Sequence, residues 1–172
     1  MSSTIQEIQK SLVEGNRSLD QLLRQTKAVA TKLSLVEVQQ WVDLELRGFA
    51  PDADLPTYRK VSCDRLEIYN SDRDLWQFAG DLNYAVEARQ PIAEIESFSR
   101  KEHTEFPVAK NFSIKNKFGD SFGSDWPQRF VVLGSEFRRV LEAVAQRWSG
   151  ELEDRGIRIV DAEKFEKFWK GL

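Results

Sequence analysis

The amino-acid sequence predicts an α+β fold: an N-terminal three-helix unit, central antiparallel strands, a long C-terminal helix and a short terminal helix. Three observations carry this reading. Apolar residues recur at helical spacing through roughly the first fifty positions, switch to a spacing of two between Tyr58 and Phe78, and resume a helical stripe from Phe137 to Leu152.

The first predicted helix carries Ile5, Ile8 and Leu12 and stops at Gly15-Asn16. Ser18, with Gln21 three residues on, is a capping box for the second, whose stripe is Leu19, Leu22, Leu23, Val29, Ala30 and Leu33. Ser34 with Glu37 predicts another capping box, opening a third helix from Leu35 to Arg47 that buries Leu35, Val38, Trp41, Val42 and Leu46. Gly48 is placed to stop it.

A polar connection from Pro51 to Pro56 follows, too short to be a domain boundary. Val61, Cys63, Leu66 and Ile68 then alternate as in strands, and Asn70-Ser71-Asp72 predicts a hairpin turn with Leu75 to Phe78 returning. Pro91 suits the first turn of a short helix through Ile92, Ile95 and Phe98, where its missing N–H costs little. Residues 100–127 are the least regular part; one or two strands are predicted there and just beyond, around Phe112-Ser113-Ile114 and from Arg129 to Leu133. The long helix starts at Ser135, buries Phe137, Val140, Leu141, Val144, Trp148 and Leu152, and ends before Gly156. Ile157 to Val160 reads as a strand, and Asp161 caps a final helix with Phe165, Phe168, Trp169 and Leu172 on one face.

The chain has 172 residues, 41% apolar and 31% charged, which suits one globular domain over 1–172 rather than a disordered segment. A net charge of −3, spread evenly, argues against a dedicated nucleic-acid binder, which usually needs a basic excess. The single cysteine, Cys63, cannot form an internal disulfide and points to a cytoplasmic chain. No run of about 18 apolar residues predicts a membrane span, and the start of the chain lacks the basic-then-apolar pattern of a secretion signal.

Residue counts remove most catalytic schemes. One histidine, His103, and one cysteine fall short of a four-ligand zinc site. Cys63 alternates with apolar residues and reads as a buried, inert thiol rather than half of a Cys–His pair. Gly119 to Gly123 matches G-x-S-x-G, but no histidine follows Ser121, so the stretch reads as a loop. No phosphate-cradling glycine motif occurs. No acidic residue stands two positions before a lysine, and no arginine stands four to six before the histidine, so two common nuclease patterns are absent. The acidic pairs Glu94/Glu96 and Asp72/Asp74 read as solvated surface. Neither a catalytic nor a metal-ligating residue is assigned, and no cofactor is expected.

Three groups remain as candidate sites. Glu45, four positions after Trp41, borders a buried stripe and needs a cationic partner; Arg59 beside Tyr58 is one candidate, and Arg138 or Arg139 are others. Such a cluster is either a helix–strand clasp or a ligand-reading cleft. Between Arg100 and Phe118, Lys101, Lys110, Lys115 and Lys117 interleave with Phe106, Phe112 and Phe118; they are candidate nucleic-acid contacts, or the aromatics are loop anchors. Phe165, Phe168, Trp169 and Leu172 form a stripe that covers either the core or a partner.

Several stretches resemble the AbiTii domain, named for a bacterial phage abortive-infection protein. They are Ala30-Thr31-Lys32-Leu33 leading to Trp41-Val42, Glu45-Leu46, Gly48-Phe49, Leu55 to Lys60, Pro91 to Glu96, and Arg138 to Ile157 around Leu152. Trp41 to Lys60 is the most specific part. The resemblance implies a prokaryotic source and a role in phage defence, and it carries over no catalytic residue. Members often place this domain before a longer C-terminal region, so the chain is expected to be either free-standing or an excised module. The function expected is a non-enzymatic sensor or assembly domain working through a protein partner or self-association. The rival readings are a nucleic-acid-binding module that also uses Arg129 and Arg139, and a Mg²⁺-dependent nuclease built on scattered carboxylates.

Overall fold

The computed structural model describes residues 18–32, 34–80, 84–108 and 126–153. Over these residues the fold is α+β, with four helices and two antiparallel sheets. The N-terminal unit differs from expectation: among the described residues it has two helices rather than three, α1 (Leu19–Lys32) and α2 (Val36–Arg47). The helix predicted around Ile5, Ile8 and Leu12 lies outside the described residues, as do the strand at 112–114, the strand at 157–160 and the terminal helix.

Helix α1 begins where the Gln21 N–H donates to Ser18 Oγ at 3.3 Å. It buries Leu19, Leu22, Leu23 and Ala30, a stripe at helical spacing. Ser34 does not cap α2. Its φ is 56°, its N–H donates to Thr31 O, and the Leu35 N–H reaches back to Ala30 O. Those two bonds make a left-handed turn that closes α1, so Ser34 ends one helix rather than opening the next. Leu35 holds the position before α2 with no side-chain cap. Gly48 ends α2 with φ 84°, and a Cβ there would lie 2.6 Å from Arg89 O.

A single turn of 3-10 helix (Thr57–Arg59) leads into β1 (Lys60–Ser62), which pairs with β4 (Ala85–Glu87) through Val61 opposite Val86. The hairpin β2 (Arg65–Asn70) and β3 (Leu75–Gly80) joins β5 (His103–Pro107) and β6 (Gln128–Leu133) in a four-stranded sheet of order β3-β2-β6-β5. Asn70 Oδ1 accepts from the Asp72 and Arg73 N–H groups, which shapes the turn. Helix α3 (Ile92–Ser99) starts after Pro91, whose carbonyl accepts from Glu94 and Ile95. Strand β5 falls where the sequence pattern is least regular.

Helix α4 (Gly134–Glu153) follows β6 directly and buries Phe137, Val140, Leu141, Val144 and Trp148. One buried cluster unites α1, α2, α3 and α4 with Val61, Leu66, Phe130 and Val132 from the strands. Two polar bonds tie its parts across long sequence distances: Trp148 Nε1 donates to Thr26 Oγ1 at 2.7 Å, and the Leu19 N–H donates to Glu96 Oε1 at 2.7 Å.

Candidate functional site

Two features gather side chains capable of function: a buried charge cluster beneath α2, and the face of the four-stranded sheet away from Leu66, Ile68, Phe130 and Val132.

Helical spacing from Trp41 carries Glu45 inward, and the 3-10 turn presents Tyr58 and Arg59 to it. Glu45 and Arg59 are both 0% exposed. Arg59 Nη2 pairs with Glu45 Oε2, and Arg59 Nη1 donates to Ala88 O at 3.2 Å and Gln90 O at 2.9 Å. Tyr58 OH donates to Glu45 Oε1 at 2.6 Å and accepts from Trp41 Nε1 at 3.2 Å. The Arg59 guanidinium also lies 5.2 Å from the Phe49 ring centre, and Arg147 of α4 sits 4.9 Å over the Trp41 ring. Burial, then the Glu45 carboxylate, pushes the Tyr58 hydroxyl up to about 12. Tyr58 therefore stays a phenol at neutral pH and donates a hydrogen bond to Glu45. Closed to solvent, the geometry is that of a clasp joining α2, the 3-10 turn and the segment 88–90. Arg138 takes no part: it is exposed on α4, because its position falls off the buried stripe set by Phe137, Val140 and Leu141. Arg139 is exposed too and pairs with Glu136 at 2.7 Å.

The sheet face is built by register. Glu67 stands opposite both Phe78 and Arg129, and Tyr69 opposite Trp76. Arg129 bridges Glu67 at 2.7 Å and Glu105 at 2.6 Å, and its guanidinium lies 4.0 Å from the Trp76 ring centre. Arg65 binds Glu67 at 2.8 Å and Asp64 at 2.8 Å. Burial alone would raise the Glu67 carboxyl, but Arg65 and Arg129 outweigh it and hold the group below its ordinary value. Around this network the surface is aromatic. Tyr69 and Trp76 meet edge to face at 5.4 Å, Phe78 is 61% exposed, and Trp126 beside the hairpin end is 56% exposed.

The other predicted positions fall as follows. Lys101 is exposed, with Nζ 5.4 Å over the Phe98 ring, while Lys110, Lys115 and Lys117 lie outside the described residues. Phe165, Phe168, Trp169 and Leu172 lie outside them as well, and so does the Gly119–Gly123 loop. Cys63 is buried and bonds to the backbone carbonyls of Arg65 and Val131; burial raises its thiol. His103 faces Glu105 at 3.8 Å. Glu96 is not the solvated surface carboxylate its neighbour Glu94 suggests: it is buried and caps the start of α1. Among the described residues no group of three or more His, Cys, Asp or Glu is placed to hold a metal, and no helix is long and apolar enough to cross a membrane.

Sequence reasoning missed the sheet face as a unit. A usable signal was present: Arg65, Glu67 and Tyr69 alternate with the buried Leu66 and Ile68, so they had to share one face. Which strand would supply Arg129 and Trp76 beside them was a matter of strand order.

Comparison with known proteins gives one relationship. A search of curated proteins and a search of solved structures each returned no match. The AbiTii family model matches residues 3–166. That span takes in both the clasp and the sheet face and nearly the whole sequence, and so the chain belongs to the AbiTii family.

Proposed function

We propose that this chain acts in abortive infection as a non-enzymatic interaction domain, binding a protein partner through the exposed face and β3 edge of its four-stranded sheet. AbiTii membership suggests a role in phage defence. The observation that carries the finer reading is the aromatic group of exposed Phe78 and Trp126 with half-buried Tyr69 and Trp76, set beside an ion network whose two arginines are already paired with carboxylates. Large exposed apolar side chains gathered at one end of a sheet are a feature of binding surfaces.

The charges of the same face favour protein over nucleic acid. Arg129 and Arg65 are each committed to carboxylates, with Glu67, Glu105 and Asp64 offsetting them. A phosphate backbone would have to displace those acids and would meet their repulsion. An aromatic or aliphatic partner surface meets no such barrier.

The test is protection against phage. Phe78→Lys alters an exposed side chain, so circular dichroism should match the wild type while a charge is planted in the binding face. Bacteria expressing the wild-type chain should plate phage less efficiently than controls, and the variant should lose at least tenfold of that protection. Equal protection by a folded Phe78→Lys chain would refute the reading.

A further inference from the structure

We infer that strand β3 pairs edge to edge with β3 of a second copy of this chain, making one continuous antiparallel sheet across a two-fold axis. The inference rests on the proposed use of this surface for protein contact and names the partner.

The two edges of the sheet are unlike. The β5 edge carries His103, Glu105 and Pro107, and a proline and a charge are common devices that keep an edge from pairing. The β3 edge reads Leu75-Trp76-Gln77-Phe78-Ala79-Gly80: six residues with no charge and no proline. Among the described residues no strand lies outside β3. Its outward backbone groups and the exposed side chains of Leu75 and Phe78, 43% and 61% exposed, therefore stand open at the same edge. Only one of the two edges is defended against pairing.

Register selects the occupant. In an antiparallel pair related by a two-fold axis, residues with the same backbone orientation must face each other, so the axis passes through one residue opposite itself. Centring it on Gln77 sets Trp76 of each copy opposite Phe78 of the other. Both side chains lie on the ion-network face, since Trp76 is opposite Tyr69 and Phe78 opposite Glu67. The result is two cross-strand aromatic pairs, which are among the more favourable pairings in a sheet. Asp74, with φ 52°, belongs to the turn before β3 rather than to the paired strand, so the six paired residues carry no charge. Centring on Trp76 would instead run Phe78 past the end of the partner strand, beside the turn at Asp74, and leave it without an aromatic partner. The edge is thus complementary to itself, and its neutrality removes the repulsion that two copies of a charged edge would feel. A six-residue edge with two aromatic pairs is small beside the roughly 1,200–2,000 Å² of a stable interface, so assembly should depend on concentration.

Analytical ultracentrifugation of the wild-type chain should show an apparent mass rising with concentration from 19.9 kDa toward twice that value. Phe78→Lys should stay at the monomer mass with an unchanged circular dichroism spectrum. As a test of register that does not rely on a destabilising charge, Gln77→Cys should form a disulfide-linked dimer under mild oxidation, and Glu105→Cys on the opposite edge should not. A wild type that remains monomeric at every concentration, or Gln77→Cys linking no faster than Glu105→Cys, would overturn self-pairing. If the wild type is monomeric yet Phe78→Lys abolishes protection, the partner-binding function survives with another occupant and self-pairing falls. A wild type that dimerises through Gln77 while a monomeric Phe78→Lys protects fully leaves self-pairing standing and removes the function proposed for it.

Discussion

A buried carboxylate tolerates its surroundings only while its cation is present. Arg59 supports Glu45 and also saturates the carbonyls of Ala88 and Gln90, whereas Glu45 supports only Arg59 and Tyr58. The two halves of the clasp are therefore unequal. Arg59→Met leaves a buried charge and two carbonyls without donors and is expected to cost about 3–5 kcal/mol. Glu45→Gln keeps an oxygen for only one of Tyr58 and Arg59, but it leaves Arg59 its two backbone carbonyls and the Phe49 ring, and should cost visibly less. Urea denaturation of the two variants checks the order, and equal losses would contradict it. Glu96 gives a second residue-scale prediction. Burial raises its carboxyl, with the backbone N–H of Leu19 and the charge of Arg100 offsetting part of the effect. The folded state thus keeps the proton to higher pH than the unfolded chain. Its contribution is whole below the unfolded value and declines as pH rises through the raised one. Relative to Glu96→Gln, which is neutral throughout, the wild type should lose stability between mildly acidic and neutral pH. Paired urea titrations over that range would read the slope, and a gain with rising pH would contradict the assignment. The need of Glu45 for a cation was legible, since the spacing from Trp41 pointed it inward. The burial of Glu96 was not, because nothing in the sequence around it announces the start of a helix 77 positions away.

At the scale of elements, local signals worked where a single residue type controls the geometry. Gly48 ends α2 because its backbone, with φ 84° and ψ 174°, lies in a region close to glycine-only. Gly48→Ala is expected to cost on the order of 1–3 kcal/mol for that conformation, and more if the Arg89 carbonyl, 2.6 Å from the new Cβ, cannot withdraw. Thermal melts would measure it, and an unchanged midpoint would show that the turn relaxes. Ser34 illustrates the opposite case. Ser-x-x-Glu has the form of a capping box, yet two backbone bonds closing α1 put Ser34 into a left-handed turn, and the side chain lost its capping role. The hairpin β2–β3 was readable from alternation and an Asn-led turn. Strand β4 has three residues and exists through its pairing with β1, so no local period could report it. Strand β5 is likewise a strand because β6 lies beside it.

For the whole molecule, the same division holds between contacts near in sequence and contacts far apart. Helix α4 meets α1 through Trp148 and Thr26, 122 positions apart, and the sheet brings Glu67 from the hairpin to Arg129 from the last strand. The candidate surface is a product of that assembly: Trp76, Phe78, Tyr69 and Arg129 share a face only because β2 lies between β3 and β6. The residue patterns alone determined the α+β class, the amphipathic stripes of the four described helices, the hairpin and the inward turn of Glu45. Each follows from a period of 3.6 or of two, or from the φ preference of one residue, and so acts over a few neighbouring positions. Tertiary structure decided the strand order, the choice of Arg59 over Arg138, the burial of Glu96 and the place of β3 at an edge of the sheet among the described residues. These depend on which distant segments come to lie side by side, and local spacing carries no record of that.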